Sequence, residues 1–284
     1  MKPRIIFLGT GASAPSRNRW TSSILLELHD CNMLLDAGEG AQIRLNEVGF
    51  DVSKLDAIFI THLHGDHVFG LPPLLQSIDM RVNSMKMFKE LTIGGPKGVQ
   101  ELVKLALGNI ENKHDKLSIR LHVYGDVKHL VTVKESLVVA LPLKHGSVRS
   151  WGIYVKSPVG RNSRFVRIFY GADGILEDYS LKFLKLNGVD VLIYESTYSE
   201  HEAIDAERTG HATSMYVAKL GRELGVEVVL MTHISQRYGM HAPHLEEARR
   251  VFRKVFVVND LDVYPLHLLL KRAALSSSRH ILLP

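Results

Sequence analysis

Three histidines and an aspartate fall within six residues in THLHGDH, Thr61 to His67, directly after the apolar run DAIFI. Imidazole nitrogens and carboxylate oxygens are ligands for divalent cations such as zinc. Clustering four such groups beside an apolar strand has little structural purpose, because each is costly to bury. In an extended segment His62 and His64 point to the same side. Asp66 and His67 are placed to start a helix that runs on through FGLPPLL. The spacing predicts two nitrogen ligands facing one ion, with a carboxylate and a third imidazole facing a second. This differs from the His-Glu-x-x-His of helical zinc proteases, whose ligands lie one turn apart on one face. Cys31 is the only cysteine, so an intrachain disulfide and thiolate zinc sites are excluded.

Other metal-type side chains end apolar runs: His145 after ALPLK, Asp173 after IFYGA, Glu195 at the end of VLIY and His233 after VLMT. Strand ends that share one rim of a sheet can converge side chains on one pocket. Asp173 with Gly174 fits a simple turn equally well. A lone histidine at a strand end is ordinarily a surface or satisfied side chain, so the nine histidines outside His62, His64, His67, His145, His211 and His233 are not read as ligands. Gly9 and Gly11 in FLGTGASAPSR suggest a phosphate cradle, but the P-loop lysine pattern is missing and a tight turn after the first strand fits better.

The elements that must position these residues are short apolar or alternating runs, from RIIFLG, SSILLEL, NMLLDAG and DAIFIT to ESLVVALPL, WGIYV, VRIFYG, DVLIYES and EVVLMTH. Their length and β-branched content read as strands. Helical patterns lie between some of them, in EGAQIRLNEVG, GLPPLLQSIDM, GVQELVKLALG, TSMYVAKLGREL and HLEEARRVFRKV. The fold class is therefore mixed α/β. No solenoid repeat, low-complexity tract or linker marks a boundary. A single domain is expected over residues 1–265, with 266–284 as a C-terminal appendage.

The 284 residues are 45% hydrophobic and 23% charged, enough for one substantial core. MKPRIIFLGT is too short and too charged for a signal peptide, and no apolar run approaches the roughly 18 residues of a membrane span. A soluble, cytoplasmic protein is expected. The net charge of +5 suits a polyanionic partner, as it would for many basic proteins that bind none.

THLHGDH resembles the signature of the metallo-β-lactamase superfamily, and the rest of the chain narrows the resemblance to the ribonuclease Z family. IIFLGTGASAPSRNRWTSSILLEL is similar to that family's N-terminus and LLDAGEGAQIRL to its second segment. HGDHVFGLPPLL, LPLKHG, IFYGAD, IYESTY, GHATS and LMTHISQRY follow in the family's order, over roughly residues 4 to 240. The resemblance implies a four-layer αββα sandwich with metals at one rim between the sheets. It assigns His62, His64 and His145 to one zinc, Asp66, His67 and His233 to the other, and Asp173 to both. Two Zn2+ per chain are expected, with Mn2+ or Fe2+ as alternatives. Asp66 would also accept the proton of the attacking water, and His211, oriented by Glu195, would protonate the leaving 3′ oxygen. Taken alone, His211 more often flanks the helix near Thr213. The implied activity removes the 3′ trailer of precursor tRNA, and the implied assembly is a homodimer.

The match departs from the family in one large respect. Its long flexible arm lies between the segments matching His145 and Asp173, where this chain has only a short stretch containing VKSPVGRNSRFV, read as two strands and a turn. From Ser136 to Ala172 no Asp or Glu occurs, whereas Arg161, Arg164 and Arg167 do. These arginines are candidate contacts to RNA phosphates, against the alternative of a solvated basic face. Smaller departures are GHATS, where the family has Ser after the histidine, and YGADG, where it has Gly-Asp-Thr. Without the arm, a phosphodiesterase for smaller phosphate esters is the nearest rival activity. A carbonyl-directed hydrolase of the glyoxalase II or lactonase kind is the next.

Overall fold

The protein is described from a computed structural model, in residues 3–108, 116–125, 128–160, 164–239 and 243–270. The first half of the chain supplies β1 (Arg4–Gly9), β2 (Ser23–Glu27), β3 (Asn32–Leu35), β4 (Ala57–Phe59), β5 (Lys89–Gly95) and β6 (Leu117–Val123), with α1 (Ala41–Glu47), α2 (Gly65–Val68), α3 (Leu71–Ser84) and α4 (Val99–Leu107) between them. The second half supplies β7 (His129–Val133), β8 (Ser136–His145), β9 (Val148–Pro158), β10 (Phe165–Gly171), β11 (Ile175–Leu176), β12 (Val191–Glu195), β13 (Val228–Thr232) and β14 (Val255–Val257). Its helices are α5 (Asp178–Asn187), α6 (Ala203–Thr209), α7 (Ser214–Leu224) and α8 (His244–Arg249). β15 (Val263–Pro265) and α9 (Leu266–Leu269) follow.

Two sheets result, ordered β15-β1-β2-β3-β4-β5-β6 and β11-β8-β9-β10-β12-β13-β14, with β7 paired to β8. Alternation along the strands divides the apolar side chains between layers. Ile5, Phe7, Ile24 and Leu26 meet Val138, Ala140, Ile153 and Ile168 between the sheets. The intervening Ile6, Leu8 and Leu25 pack with Leu45 of α1 and Leu74 and Ile78 of α3. On the far side, Val139, Leu141 and Phe169 pack with Phe183 of α5 and Val217 of α7. The architecture is the expected four-layer αββα sandwich.

The expected helix from Asp66 through Leu75 is interrupted: α2 stops at Val68 and α3 restarts at Leu71. Pro72 and Pro73 have no N–H to give to the carbonyls of Val68 and Phe69, so an uninterrupted helix would lack two bonds. They are accommodated in the first turn of α3, where those donors are not needed.

Strand direction places the site. β10, β12 and β13 are mutually parallel, and β8 and β10 are both antiparallel to β9, so β8 runs the same way. All four strands finish at one rim, where open α/β sheets present their ligand sites. The two ends of VKSPVGRNSRFV, residues 155–158 in β9 and 165–166 in β10, pair at the opposite end of the β9–β10 hairpin, with Phe165 opposite Pro158, and residues 161–163 between them lie outside the described residues. The hairpin occupies the interval between His145 and Asp173.

Candidate metal centre

The segment after β4 carries His62, His64, Asp66 and His67 to the rim, and the second sheet brings His145, Asp173 and His233 to meet them. Two donor groups form, one of His62, His64, His145 and Asp173, the other of Asp66, His67 and His233. In the first, His62 Nε2 is 3.0 Å from His64 Nδ1 and 3.7 Å from Asp173 Oδ2. In the second, His67 Nε2 is 3.2 Å from His233 Nε2, which is 3.2 Å from Asp66 Oδ2. A zinc tetrahedron with bonds of about 2.1 Å has edges of roughly 3.4 Å, so these spacings fit donors around a cation.

Asp173 faces both groups. Its Oδ2 lies toward His62 and His145, and its Oδ1 lies 3.4 Å from His67 Nε2 and 3.3 Å from His233 Nε2. Oδ1 is buried yet makes no well-formed hydrogen bond, as suits an oxygen directed between its neighbours. The Asp173–Gly174 turn aims the carboxylate: Gly174 has φ of +124°, and a Cβ there would come within 2.7 Å of the Lys144 carbonyl. The turn reading and the rim position are therefore the same feature.

The outward ring nitrogens are also engaged. His67 Nδ1 meets Asp36 at 2.8 Å, His145 Nδ1 donates to the Gly210 carbonyl at 2.8 Å, and His62 Nδ1 lies 3.1 Å from Thr61 Oγ1. Such contacts fix ring orientation and leave the other nitrogen for a cation. Asp36 also accepts bonds from the Thr61 amide and the Tyr170 hydroxyl. Asp36 is not singled out by sequence reasoning. The loop after β1, pinched where a Cβ on Gly9 would fall 1.9 Å from the Thr21 carbonyl, delivers the Ser13 amide to Asp66 at 2.7 Å. The glycine pair thus serves a close backbone approach, in keeping with the turn reading.

Electrostatically the cluster gathers positive charge. Burial alone would raise the Asp66 and Asp173 carboxyls, but neighbouring His67 and His233 outweigh it and hold both low. Burial lowers His62 and His64. Burial opposes protonation of His67 too, yet Asp173 and Asp36 raise it well above the usual histidine range. The two carboxylates demand a charge that protons or a divalent cation can supply.

His211 stands beside the cluster, its Nδ1 3.1 Å from Glu195 Oε1 and 4.0 Å from Asp173 Oδ2. That proximity makes it an alternative donor with Asp173 and His233. Glu195 is fully buried and also accepts bonds from the Ala212 and Thr197 amides. Burial works against a charged His211, but Glu195 overrides it and pushes the imidazole up to about 9.

Of the candidate arginines, Arg164 and Arg167 are not brought to this rim. Arg167 lies six residues before Asp173 on β10, about 20 Å along an extended strand. Its guanidinium is bound to Asp190 and to the Asn187 carbonyl. Arg164 is exposed at the start of the same strand, and Arg161 lies outside the described residues.

The family described as anti-Pycsar protein Apyc1 matches residues 3–244. Ribonuclease Z of Limosilactobacillus fermentum is 32% identical over 311 aligned positions, covering 92% of this chain and 97% of the relative. Ribonuclease Z of Metallosphaera sedula is 31% identical over 292 positions, covering 91% and 97%. Both alignments exceed the 284 residues of the chain, so both relatives carry segments that it lacks. The crystal structure of human tRNase Z, short form, is similar with a TM-score of 0.74 at 26% identity, covering 92% of this chain and 98% of the human one. Bacillus subtilis YhfI, a metallo-β-lactamase fold protein, has the same TM-score at 23% identity, covering 93% and 99%, a likeness of fold alone.

Proposed function

We propose a phosphodiester hydrolase for this chain, which belongs to the ribonuclease Z family of metallo-β-lactamase-fold proteins and, over residues 3–244, to the family described as anti-Pycsar protein Apyc1. The substrate is precursor tRNA, cut at its 3′ side, by likeness to the ribonuclease Z and tRNase Z relatives. The observation that carries the reading is Asp173, whose two oxygens face two donor groups beside the Glu195–His211 pair.

Two divalent cations, zinc in this reading, would be held by His62, His64, His145 and Asp173 and by Asp66, His67, His233 and Asp173. When bound, they supply charge stabilisation to a pentacoordinate phosphorus and lower the pKa of water. Asp66, steadied by the Ser13 amide, takes the proton of the attacking water. His211 donates Nδ1–H to Glu195, which leaves Nε2–H for the departing oxygen. Glu195 keeps that imidazole charged until the proton is needed.

A second reading, hydrolysis of smaller phosphodiesters, is favoured by the short β9–β10 hairpin and by the longer alignments of the relatives. Attack at a carbonyl carbon has no comparable support. The homodimer belongs to the same proposal, supported by exposed Phe69, Met80 and Phe88 around α2 and α3. So does a cytoplasmic location. No helix among the described residues is long and apolar enough to cross a membrane.

One preparation assayed on precursor tRNA, bis(p-nitrophenyl) phosphate and a thioester tests the proposal. Cleavage of the first two is expected. Thioester hydrolysis alone would overturn the phosphodiesterase reading, and cleavage of the small diester without tRNA would select the second one.

A further inference from the structure

His211 and Glu195 come from separate segments: a loop of residues 210–214 that leads from α6 into α7, and the stretch of residues 195–200 that leaves β12. Few of these residues lie in helices or strands, so their mutual placement depends on bonds between the two segments. The backbones meet where the Tyr198 amide donates to the Ala212 carbonyl at 3.3 Å and the Ser214 amide donates to the Tyr198 carbonyl at 3.1 Å. Thr213, which caps α7, gives its hydroxyl proton to Glu200 at 2.6 Å. The start of the loop is pinned as well. Gly210 has φ of +74°, and a Cβ there would come within 2.3 Å of the Gly146 nitrogen.

A third element reaches both segments. Glu247 of α8 is 5% exposed, and its Oε2 accepts the Ser214 hydroxyl and, at 2.9 Å, the Glu200 amide. Ser214 closes the His211 loop and Glu200 ends the Glu195 stretch, so a single carboxylate oxygen joins the two. Burying a carboxylate is costly unless it is paired or well bonded. The other oxygen of Glu247 makes no hydrogen bond among the described residues and lies 3.6 Å from Nε2 of the exposed His201, a solvated partner that compensates a buried charge weakly. Helix packing does not require a charge at this position, because Leu245 and Ala248 of α8 already join the apolar layer that holds Val217 and Ala218 of α7. The bonds of Glu247 fall instead on the residues that frame the His211–Glu195 pair.

We propose that Glu247 is a positioning residue for His211. By binding Ser214 and Glu200 together, it holds the imidazole loop in the place where Nδ1 meets Glu195 and Nε2 faces the departing oxygen. The inference rests on the reading of His211 as the proton donor. Misplacing a reacting group by about 1 Å can cost on the order of 10²-fold in rate, and here the loss should fall on the step that needs the proton.

The test compares two diesters on the full chain: bis(p-nitrophenyl) phosphate, whose leaving group needs little protonation, and diphenyl phosphate, whose leaving group needs more. The ratio of their turnover by one sample does not depend on how much of the protein is folded, so a merely structural effect cancels. His211→Ala sets the reference shift in this ratio. Glu247→Leu, similar in volume but without an acceptor, is expected to slow diphenyl phosphate about 10- to 100-fold and bis(p-nitrophenyl) phosphate by less than about 3-fold, with metal content unchanged. Glu247→Gln keeps an oxygen that can accept both bonds and should recover most of the ratio. In the His211→Ala background, Glu247→Leu should shift the ratio no further. Should Glu247→Leu fail to fold, Ser214→Ala decides by the same ratio, since it removes one bond and strands no donor. A shift in His211→Ala without one in the Glu247→Leu or Ser214→Ala variant would overturn the positioning role alone. Metal lost in step with activity in Glu247→Leu would overturn it too. An unmoved ratio in His211→Ala, or an unmodified protein that turns over neither ester, would overturn the proton-donor reading and this inference with it.

Discussion

The Thr197 hydroxyl lies 2.8 Å from Nδ1 of His233. Its single proton goes to Glu195 Oε2 at 2.7 Å, so it accepts the His233 N–H, and Nε2 of that ring is left to face Asp66 and Asp173. One side chain thus joins the pair around His211 to a metal-type histidine. Replacing Thr197 with Val keeps the volume but strands the His233 N–H. Metal affinity should fall about 10- to 100-fold, the usual effect of losing such an outer partner. A chelator competition measures it, and unchanged affinity would remove Thr197 from the support of the site.

Asp173→Ala should lower metal content at both positions, since its oxygens face both donor groups. Elemental analysis should read close to two ions per chain in the unmodified protein and well below one in the variant. Full occupancy in the variant would show that the histidines hold the ions unaided.

His211→Ala should slow turnover by about 10² to 10⁴ while metal content stays near that of the unmodified protein, because a general acid typically contributes that much. The loss should shrink for esters with good leaving groups. Zinc lost in step with activity would instead make His211 a ligand with Asp173 and His233, which its position allows.

For Arg167→Ala the expected effect is on stability. Asp190 is 1% exposed, and without the guanidinium its carboxylate is left buried and uncompensated, at a cost of about 3–5 kcal/mol. Urea denaturation should show the drop, while the Michaelis constant for a small diester stays constant. A stable variant with weakened RNA binding would return Arg167 to the role of a phosphate contact.

His244 sets a pH dependence of folding. The ring is fully buried beside Tyr238, at 4.7 Å between centroids, and burial brings its pKa down to about 4. The unfolded chain binds this proton below about 6.5, and the folded chain only near 4. The stabilisation is therefore complete above pH 6.5 and is lost progressively as the pH falls toward 4. The amount is on the order of 3 kcal/mol. His244→Phe should show a shallower fall in denaturation midpoint between pH 7 and pH 5. An equal slope in both proteins would refute this account.

Much of the site was legible because its donors cluster: His62, His64, Asp66 and His67 stand within six residues. His145, Asp173, Glu195 and His233 each end an apolar strand, a position that sheet direction turns into a shared rim. Asp36 and Thr197 escaped because a single carboxylate or hydroxyl carries no periodic signal, and their roles depend on contacts across tens of residues. β5 and β6 escaped as well. KELTIGG ends in two glycines and LSIRLHV interleaves charge with apolar residues, so neither has the apolar density of a central strand. Arg167 was misplaced for the opposite reason: a run free of acids suggests a basic surface, whereas its partner Asp190 lies beyond that run.

The division of the donors between the two halves of the chain has a mechanical consequence. His62, His64, Asp66 and His67 follow β4 in the first half of the chain, whereas His145, Asp173, His211 and His233 all come from the second half. Neither half alone holds a full donor set, so an ion bound at the rim would act as a removable clasp across the seam. Loading it adds stability in proportion to the logarithm of its free concentration, and stripping it would slacken the joint between the sheets before either sheet itself comes apart.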